Sequence, residues 1–528
     1  MIAIIKKEKN FLTILFMFSL LVRALVFGCY LSKENRFWQV DSATYHCVAT
    51  SIAHRQGISK TDGSPVFYRV PGYPLFVAAV YSLFGHEKTT VLWLQVFIAS
   101  LLPLLIFLLS LALFPKFLLL ARIASLYSAV HFGLILYSGF FMTETLFLFF
   151  FLLFILFFMP VCHLFFCPSP ETGWVSYEKM RLNQYPGNLY LPNPVCTSTP
   201  FIELYEKMYG DDVEQMLMIT RADKQIFKDR QQVFQYLVWA GLFLGCASLV
   251  RPVGHYLLPL AVLLILFSHD YWREKCAKSL FFIMAWLVPV SFWLVRNYML
   301  MGHLFFHSLP GGHFLYFSVA RVIAQECDIS YEQARKVIHK KVQKREHAFN
   351  KEHHRFPNEF EHCVIQEKLA ISYFKQYPLT VLKLWLTDIF RTTFSLYSAE
   401  LLYLESGRPE FDYFSSSRSL CSMIKRYLFP ATDKLWLRAV ILIDIVSLLF
   451  MWLGCMLFFL AAFVKRRISL LCVTARVVPF MKFFIVIALA GGYARMRLPI
   501  EPFIMLFAWH FWLYFFGAIK SHFFHEQH

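Results

Sequence analysis

Asp41 and Arg69 are the residues of this 528-residue chain whose types and places most directly suggest chemistry. They stand in Val40-Asp41-Ser42-Ala43-Thr44-Tyr45 and Arg69-Val70-Pro71-Gly72-Tyr73-Pro74, at the two ends of one polar loop between the first two apolar runs. A carboxylate there can take a proton from an incoming hydroxyl or amine. A guanidinium presents a planar fork that matches the oxygens of a phosphodiester. Each also has a plainer explanation. Ala43, Tyr45, Val48, Ala49 and Ile52 recur at helical spacing and predict a short amphipathic helix from Asp41 or Ser42, which makes Asp41 a natural N-cap. Arg69, next to two prolines that fix a turn where the chain re-enters an apolar zone, suits interfacial snorkelling.

Further ionisable residues sit at the ends of apolar runs. Glu144 follows Met142-Thr143; Arg251 stands in Leu249-Val250-Arg251-Pro252; Arg296 and Asn297 follow Trp293-Leu294-Val295. Arg495 and Arg497 precede Leu498-Pro499-Ile500-Glu501-Pro502. Singly, each arginine is an interface anchor, and Thr143-Glu144 is a helix start with an acid near its positive end. Gathered on one face, they read as a site for an anionic lipid headgroup. His339, His347, His353, His354 and His362 lie among equally dense Lys and Arg and define no metal site; His303, His307 and His313 lie nearer the proposed site.

The elements that must hold these residues are membrane helices. Hydrophobic residues make up 58% of the chain, charged residues 16%, and Phe alone numbers 59. Such a chain cannot hide its apolar surface in a water-soluble core, and runs of about 20 apolar residues must cross lipid as helices. The sequence predicts an all-α membrane protein, a polytopic bundle of about 10–13 transmembrane helices with extracytoplasmic loops forming a soluble region. Ten spans are legible: 11–30, 91–114, 117–136, 144–165, 236–249, 252–267, 280–295, 435–464, 470–491 and 499–517. Splitting the fifth from the sixth at Arg251-Pro252 puts Lys6, Lys7, Lys9, Lys116, Lys224 to Arg230, Arg273 to Lys278, Lys465 to Arg467 and Lys520 on one side. That side is the cytoplasm, and both termini lie in it. The first run reads as an uncleaved helix rather than a signal peptide.

This topology divides the chain into an N-terminal membrane module (1–298), a large extracytoplasmic region (299–433) and C-terminal helices (434–528). The first contains the outside loop 31–70 and a cytoplasmic insertion, 167–235. A charged helical run is expected over 331–374, and 379–390, apolar but holding Lys383 and Asp388, suits a membrane-surface helix better than a span. The net charge of +17 follows from the inside-positive bias and contact with anionic lipid rather than from nucleic-acid binding. The 12 Cys are scattered without a CxxC pair and suggest neither a disulfide framework nor zinc.

The motifs, taken in order, resemble a known family. Asp41-Ser42 through Tyr45, Arg69-Val70-Pro71-Gly72-Tyr73-Pro74-Leu75-Phe76 with Leu83-Phe84-Gly85, and Thr143-Glu144-Thr145-Leu146-Phe147 come first. Gly241-Leu242-Phe243-Leu244-Gly245 with Leu249-Val250-Arg251-Pro252, Trp293-Leu294-Val295-Arg296-Asn297-Tyr298 and Arg497-Leu498-Pro499-Ile500-Glu501-Pro502 follow. Together they resemble the C-type integral-membrane glycosyltransferases, in the bacterial branch related to protein O-mannosyltransferases and lipid A aminoarabinose transferases. The resemblance covers 11–166 and 241–517. It implies transfer of a sugar from a polyprenyl-phosphate donor to a lipid, glycan or protein acceptor, with inversion, on the outer face of the cytoplasmic membrane. By matching position, Asp41 would be the base, Glu144 a second acid, and Arg69 and Arg296 ligands of the donor phosphate. Arg251 and Arg497 match basic motif positions and join the same candidate set. Many relatives carry two acids in the first loop where this chain has Asp41-Ser42, so no cofactor is required and a divalent metal is left open. The alternative reading is a transporter or lipid flippase; charges at one mouth and the lack of a repeat speak against it. A structural or assembly protein would not explain the clustered acids and arginines.

Overall fold

The computed structural model describes residues 2–31, 37–39, 41–115, 117–161, 230–268, 271–406, 434–464, 468–487 and 494–525. Most of the 167–235 insertion, the Lys465-Arg466-Arg467 cluster and the 407–433 end of the extracytoplasmic region lie outside them. Among the described residues the chain is helical throughout, with a lone β-bridge between Ser59 and Pro65. The protein is an all-α polytopic membrane protein.

The N-terminal module holds α1 (Ile2–Lys7), α2 (Lys9–Tyr30), α3 (Ser42–Ala53), α4 (Gly72–Phe84), α5 (Lys88–Ser100) and α6 (Leu102–Leu113). Then come α7 (Leu118–Val130), α8 (Phe132–Gly139), α9 (Glu144–Phe158), α10 (Arg230–Val250), α11 (Leu257–Leu266) and α12 (Trp272–Met301). The segment that the sequence reads as extramembrane carries α13 (Leu309–His313), α14 (Ala320–Glu326), α15 (Tyr331–His353), α16 (Glu359–Gln376), α17 (Pro378–Phe394) and α18 (Ser398–Ser406). Four more close the chain: α19 (Leu435–Val464), α20 (Ile468–Val486), α21 (Ala494–Arg497) and α22 (Glu501–His525).

Over their described residues the ten sequence-read spans fall on helices, but fewer meet the demands of a full crossing. Seven described helices are long and apolar enough, or eight if α7 and α8, bent by 46°, form one span. Pro252–Leu266 and Gly72–Phe84 are apolar but short. The bend between α7 and α8 has a visible cause. Arg23, buried in α2, donates to Ser19 Oγ at 2.5 Å and to the Ala129 carbonyl at 3.1 Å, so the carbonyls freed at the break find a partner.

Helix directions support two passes at Arg251-Pro252. Phe157 meets Tyr236, Phe150 meets Phe243, and Glu144 meets Arg251, so α9 and α10 are antiparallel. α10 and α12 instead run parallel. A Cβ on Gly241 would lie 2.6 Å from the Phe282 carbonyl oxygen, and one on Gly245 2.4 Å from Pro289 Cγ. Only glycines let the two backbones meet there. Because α10 and α12 point the same way, the chain through α11 must travel back between them. The 30 residues of α12 span about 45 Å, more than the hydrocarbon layer needs, so an end projects from it.

The extramembrane region has a core of its own, built from Leu315, Val319, Ile323, Ile338, Val342, Leu369 and Tyr373. The predicted single run over 331–374 is two helices. His354 takes a left-handed φ of 53°, and Asn358 starts α16 with a capping box to Glu361, as Ser330 starts α15 with Gln333. α17 turns Leu379, Leu382, Leu386 and Phe390 outward and buries Leu384, Asp388 and Thr392. That one-sided pattern fits a helix lying on a membrane surface. Asp388, which spoke against a span, takes a two-pronged contact from Arg321 at 2.8 and 2.6 Å.

Candidate active site

Four of the six sequence-read residues converge at one end of the bundle, where α9 begins and α10 ends. The first loop is brought there by Ser42, whose hydroxyl accepts from the Gln39 N–H at 2.9 Å and donates to the Phe141 carbonyl at 2.8 Å. Asp41 occupies the N-cap place of α3, yet its side chain makes no capping bond. It pairs with Arg69 instead, and Arg495 Nη1 stands 3.9 Å from its other oxygen. The cap explanation of Asp41 therefore lacks its hydrogen bond. Its side chain keeps 26% exposure.

Arg69 packs its guanidinium over the Tyr45 ring, 5.1 Å from the centroid, and its Nη1 lies 3.4 Å from the Tyr45 hydroxyl. Tyr45 is buried edge-on against Tyr73 at 5.1 Å. Burial works against the charge of Arg69, but Tyr45 and Asp41 more than offset it and hold the guanidinium above its ordinary value.

Glu144 is the first residue of α9, where the positive end of the helix dipole favours a carboxylate. It is 1% exposed; Oε1 lies 3.4 Å from Arg251 Nη1, and Oε2 is buried without a hydrogen-bond partner. Arg251 leaves the end of α10 in an extended conformation, over the Phe147 ring at 5.5 Å and 3.9 Å from Met496 Sδ. Between the two acid–arginine pairs stands Arg495, whose charge acts on Glu144, Tyr137, Asp41 and Glu400. The Nε atoms of Arg69 and Arg495 are buried and unpartnered.

Arg495 was visible in the sequence but not placed among the phosphate ligands. Glu400 and Tyr137 were missed. Tyr137 donates to Glu400 Oε1 at 2.8 Å, and burial pushes the Glu400 carboxyl above its ordinary range. Nothing local marks Ser398-Ala399-Glu400; its place follows from how α18 docks, with Tyr403 donating to the Trp38 carbonyl at 3.3 Å.

Arg296 and Arg497, which the sequence also placed among the candidate phosphate ligands, make contacts outside the Asp41–Arg69 and Glu144–Arg251 pairs. Arg296 donates to the carbonyls of Val66 at 3.1 Å and Ile58 at 2.8 Å and to Asn297 Oδ1 at 2.9 Å, between the rings of Phe67 and Trp293. It pins the first loop to the end of α12. Arg497 is 1% exposed, pairs with Glu501 at 2.5 Å and donates to the carbonyls of Thr392, Thr393 and Ser395. It satisfies the orphan carbonyls that end α17. Both arginines donate to distant backbone carbonyls, which no spacing rule reveals.

Among the described residues, no three His, Cys, Asp or Glu side chains are placed to share a metal ion. His362 pairs with Glu346 and His353 stacks on Phe349, so these two histidines serve local contacts.

No protein-family profile matches this chain, and neither does any curated protein. Among solved structures, it is similar to the archaeal oligosaccharyltransferase AglB from Archaeoglobus fulgidus, in complex with an inhibitory peptide and a dolichol-phosphate. Identity is 11% and the TM-score 0.43, over 97% of this chain and 51% of that one, so the chain spans about half the length of that protein. It is similar also to ArnT from Cupriavidus metallidurans in the apo state, with 12% identity and a TM-score of 0.31, over 89% of this chain and 73% of that one.

Proposed function

We propose that the protein is a glycosyltransferase that moves a sugar from a polyprenyl-phosphate donor to a lipid A, other glycan or protein acceptor at the outer face of the cytoplasmic membrane. The observation that carries this reading is the meeting of Asp41 and Glu144 with Arg69, Arg251 and Arg495 at one end of a membrane bundle. Nucleotide sugars are confined to the cytoplasm, so a transferase on the far side needs a donor tethered to lipid. The inside-positive charge distribution supports placing this end outside.

Arg69 pairs with Asp41. A donor phosphate arriving between Arg69 and Arg495 competes for the same guanidinium and releases the carboxylate. The acceptor oxygen or nitrogen then forms its bond to the anomeric carbon from the face opposite the phosphate. The carbon–oxygen bond to phosphate breaks, its electron pair leaves with the polyprenyl phosphate, and Asp41 takes the acceptor's proton. Fixed guanidiniums stabilise the leaving charge without reorganising. Asp41, the more exposed acid, is the base an acceptor can reach; Glu144, with one unpartnered oxygen, is suited to orient the acceptor or sugar. Mass spectrometry of envelope lipids, glycans and secreted proteins, with and without this protein, tests the reading. A sugar-bearing species that disappears with the protein is expected; unchanged spectra in all three fractions overturn it.

A further inference from the structure

Three consecutive residues of α21 meet three different partners, and the mechanism above uses only the first. Arg495 Nη1 stands 3.9 Å from Asp41 Oδ2, Met496 Sδ lies 3.9 Å from Arg251 Nη2, and Arg497 Nε donates to Glu501 Oε1 at 2.5 Å. One short turn therefore touches both acid–arginine pairs of the candidate site and is tied at its end to a buried carboxylate outside them. A helix of four residues has little rigidity of its own. The fixed point nearest to Arg495 is the anchor at Arg497.

That anchor is firmly built. Glu501 is buried and opens the long helix α22, and the buried turn Leu498-Pro499-Ile500 joins it to Arg497. Glu501 Oε1 also accepts from the Tyr397 hydroxyl at 3.0 Å, and the Tyr397 ring lies 4.9 Å from the Arg497 guanidinium. Tyr397 is pressed in place by α8, where a Cβ on Gly133 would lie 2.7 Å from its ring. His131 Nε2 stands 3.8 Å from the other Glu501 oxygen. Beside the Arg497–Glu501 pair is a small cavity, lined also by Tyr127, His131, Asp444 and Ser447. Asp444, which accepts from the Ser398 N–H at 2.7 Å, is the second acid on it. An Arg497 released by Glu501 has there both room and a competing carboxylate.

We propose that Glu501 is a positioning residue for the donor phosphate: by holding Arg497 it fixes the turn of α21, and with it Arg495 beside Asp41 and Met496 beside Arg251. The proposal rests on the donor reading given above. In this role Glu501 and its partner Tyr397 do not touch the donor; both act through Arg497 and then Arg495. Without the charge of Glu501, Arg497 turns toward Asp444 and draws Arg495 from the place where the phosphate oxygens arrive. The clamp then loses an arm that the chain still carries, because a guanidinium that must first be ordered binds more weakly than one held in place.

The test is a double-mutant cycle on binding, with the full-length protein in detergent and the methyl ester of a short-chain isoprenyl phosphate. Glu501→Gln keeps the size of the side chain and removes its charge; it should raise Kd about tenfold, and Arg495→Ala should do about the same. Arg69 remains in the alanine variant, so binding stays measurable. Adding Glu501→Gln to Arg495→Ala should change Kd by less than about twofold, because the residue through which Glu501 acts is gone. A residue that only stabilises the fold gives one factor in both backgrounds. Tyr397→Phe removes only the hydroxyl that donates to Glu501 and keeps the ring beside Arg497. It should weaken binding about threefold, again only with Arg495 present, and it serves if the glutamine variant does not fold. Equal factors in the two backgrounds, or no loss in any of the single variants, overturn the positioning role and leave the donor reading intact. Failure of wild type to bind the diester overturns the donor reading, and this proposal with it.

Discussion

At the scale of single residues, Asp41 separates capping from catalysis. It holds the N-cap position without the capping bond, so Asp41→Asn should leave folding and donor binding near normal while turnover falls about 10²–10⁴-fold. Full activity in that variant would transfer the role of base to Glu144. Arg69→Ala should weaken donor use by about 1.5–3 kcal/mol, seen as a raised KM for limiting donor, and lysine should rescue it only in part because it lacks the fork. Arg296→Ala should behave differently. Its bonds go to the Ile58 and Val66 carbonyls, so the expected loss is about 1–3 kcal/mol of stability, read as a lower melting temperature with donor KM little changed at low temperature. A raised KM without a change in melting temperature would return Arg296 to the phosphate. This contrast also shows what the sequence could and could not carry. Asp41, Arg69, Glu144 and Arg251 were legible because ionisable residues at helix ends in an apolar chain need a reason. Arg296 and Arg497 met the same criterion, but each also donates to backbone carbonyls that the sequence does not reveal, those of Arg497 more than 100 positions away. Glu400 reaches Tyr137 across 263 positions, and no local pattern encodes that distance.

At the scale of elements, hydrophobic runs located the helices well, since lipid allows little else. Their lengths were less legible, because a short helix such as α11 is set by the turn at Pro252 and by its neighbours rather than by its own composition. The contact of α10 with α12 offers a direct probe. Gly245→Val would drive two methyl groups into Pro289 and the Trp286 carbonyl, with an expected cost of about 1–3 kcal/mol. Because Arg251 ends α10, activity should fall along with melting temperature; a variant with both unchanged would mean the helices do not meet there. The break between α15 and α16 was missed since charged residues continue through it, and only a positive φ at His354 and the Asn358 cap mark it. At that cap Arg355 donates to Glu361 and holds its carboxyl down at about 2. The folded pKa lies below the unfolded value, so the stabilisation is present above about pH 4.5 and is lost as pH falls through about 2. Arg355→Gln should therefore remove part of the acid-sensitive step in helix content between those limits, followed by circular dichroism; an unchanged profile would mean the pair contributes nothing.

At the scale of the whole molecule, the function depends on which side of the membrane the site faces. The Lys and Arg bias of the sequence predicts Arg273 to Lys278 inside and 299–433 outside. Helix directions, derived without reference to charge, put the end of α10 with Arg251 and the start of α9 with Glu144 at one level, and the parallel run of α12 carries its Arg296 end the same way. The site and the extramembrane region thus share a side, whichever side that is, and labelling decides which. Two exposed native cysteines mark the two sides: Cys276 near the start of α12, and Cys327 just after α14. In intact cells, a membrane-impermeant maleimide should label Cys327 and a cysteine placed at Lys340, and should reach Cys276 and a cysteine at Lys179 only after the membrane is opened. Labels on single-cysteine variants keep the four readings separate. Labelling of Cys276 or the Lys179 position from outside would invert the molecule and place Asp41, Arg69 and Glu144 in the cytoplasm. Nucleotide sugars are abundant there, and the need for a lipid-tethered donor would vanish with the inversion.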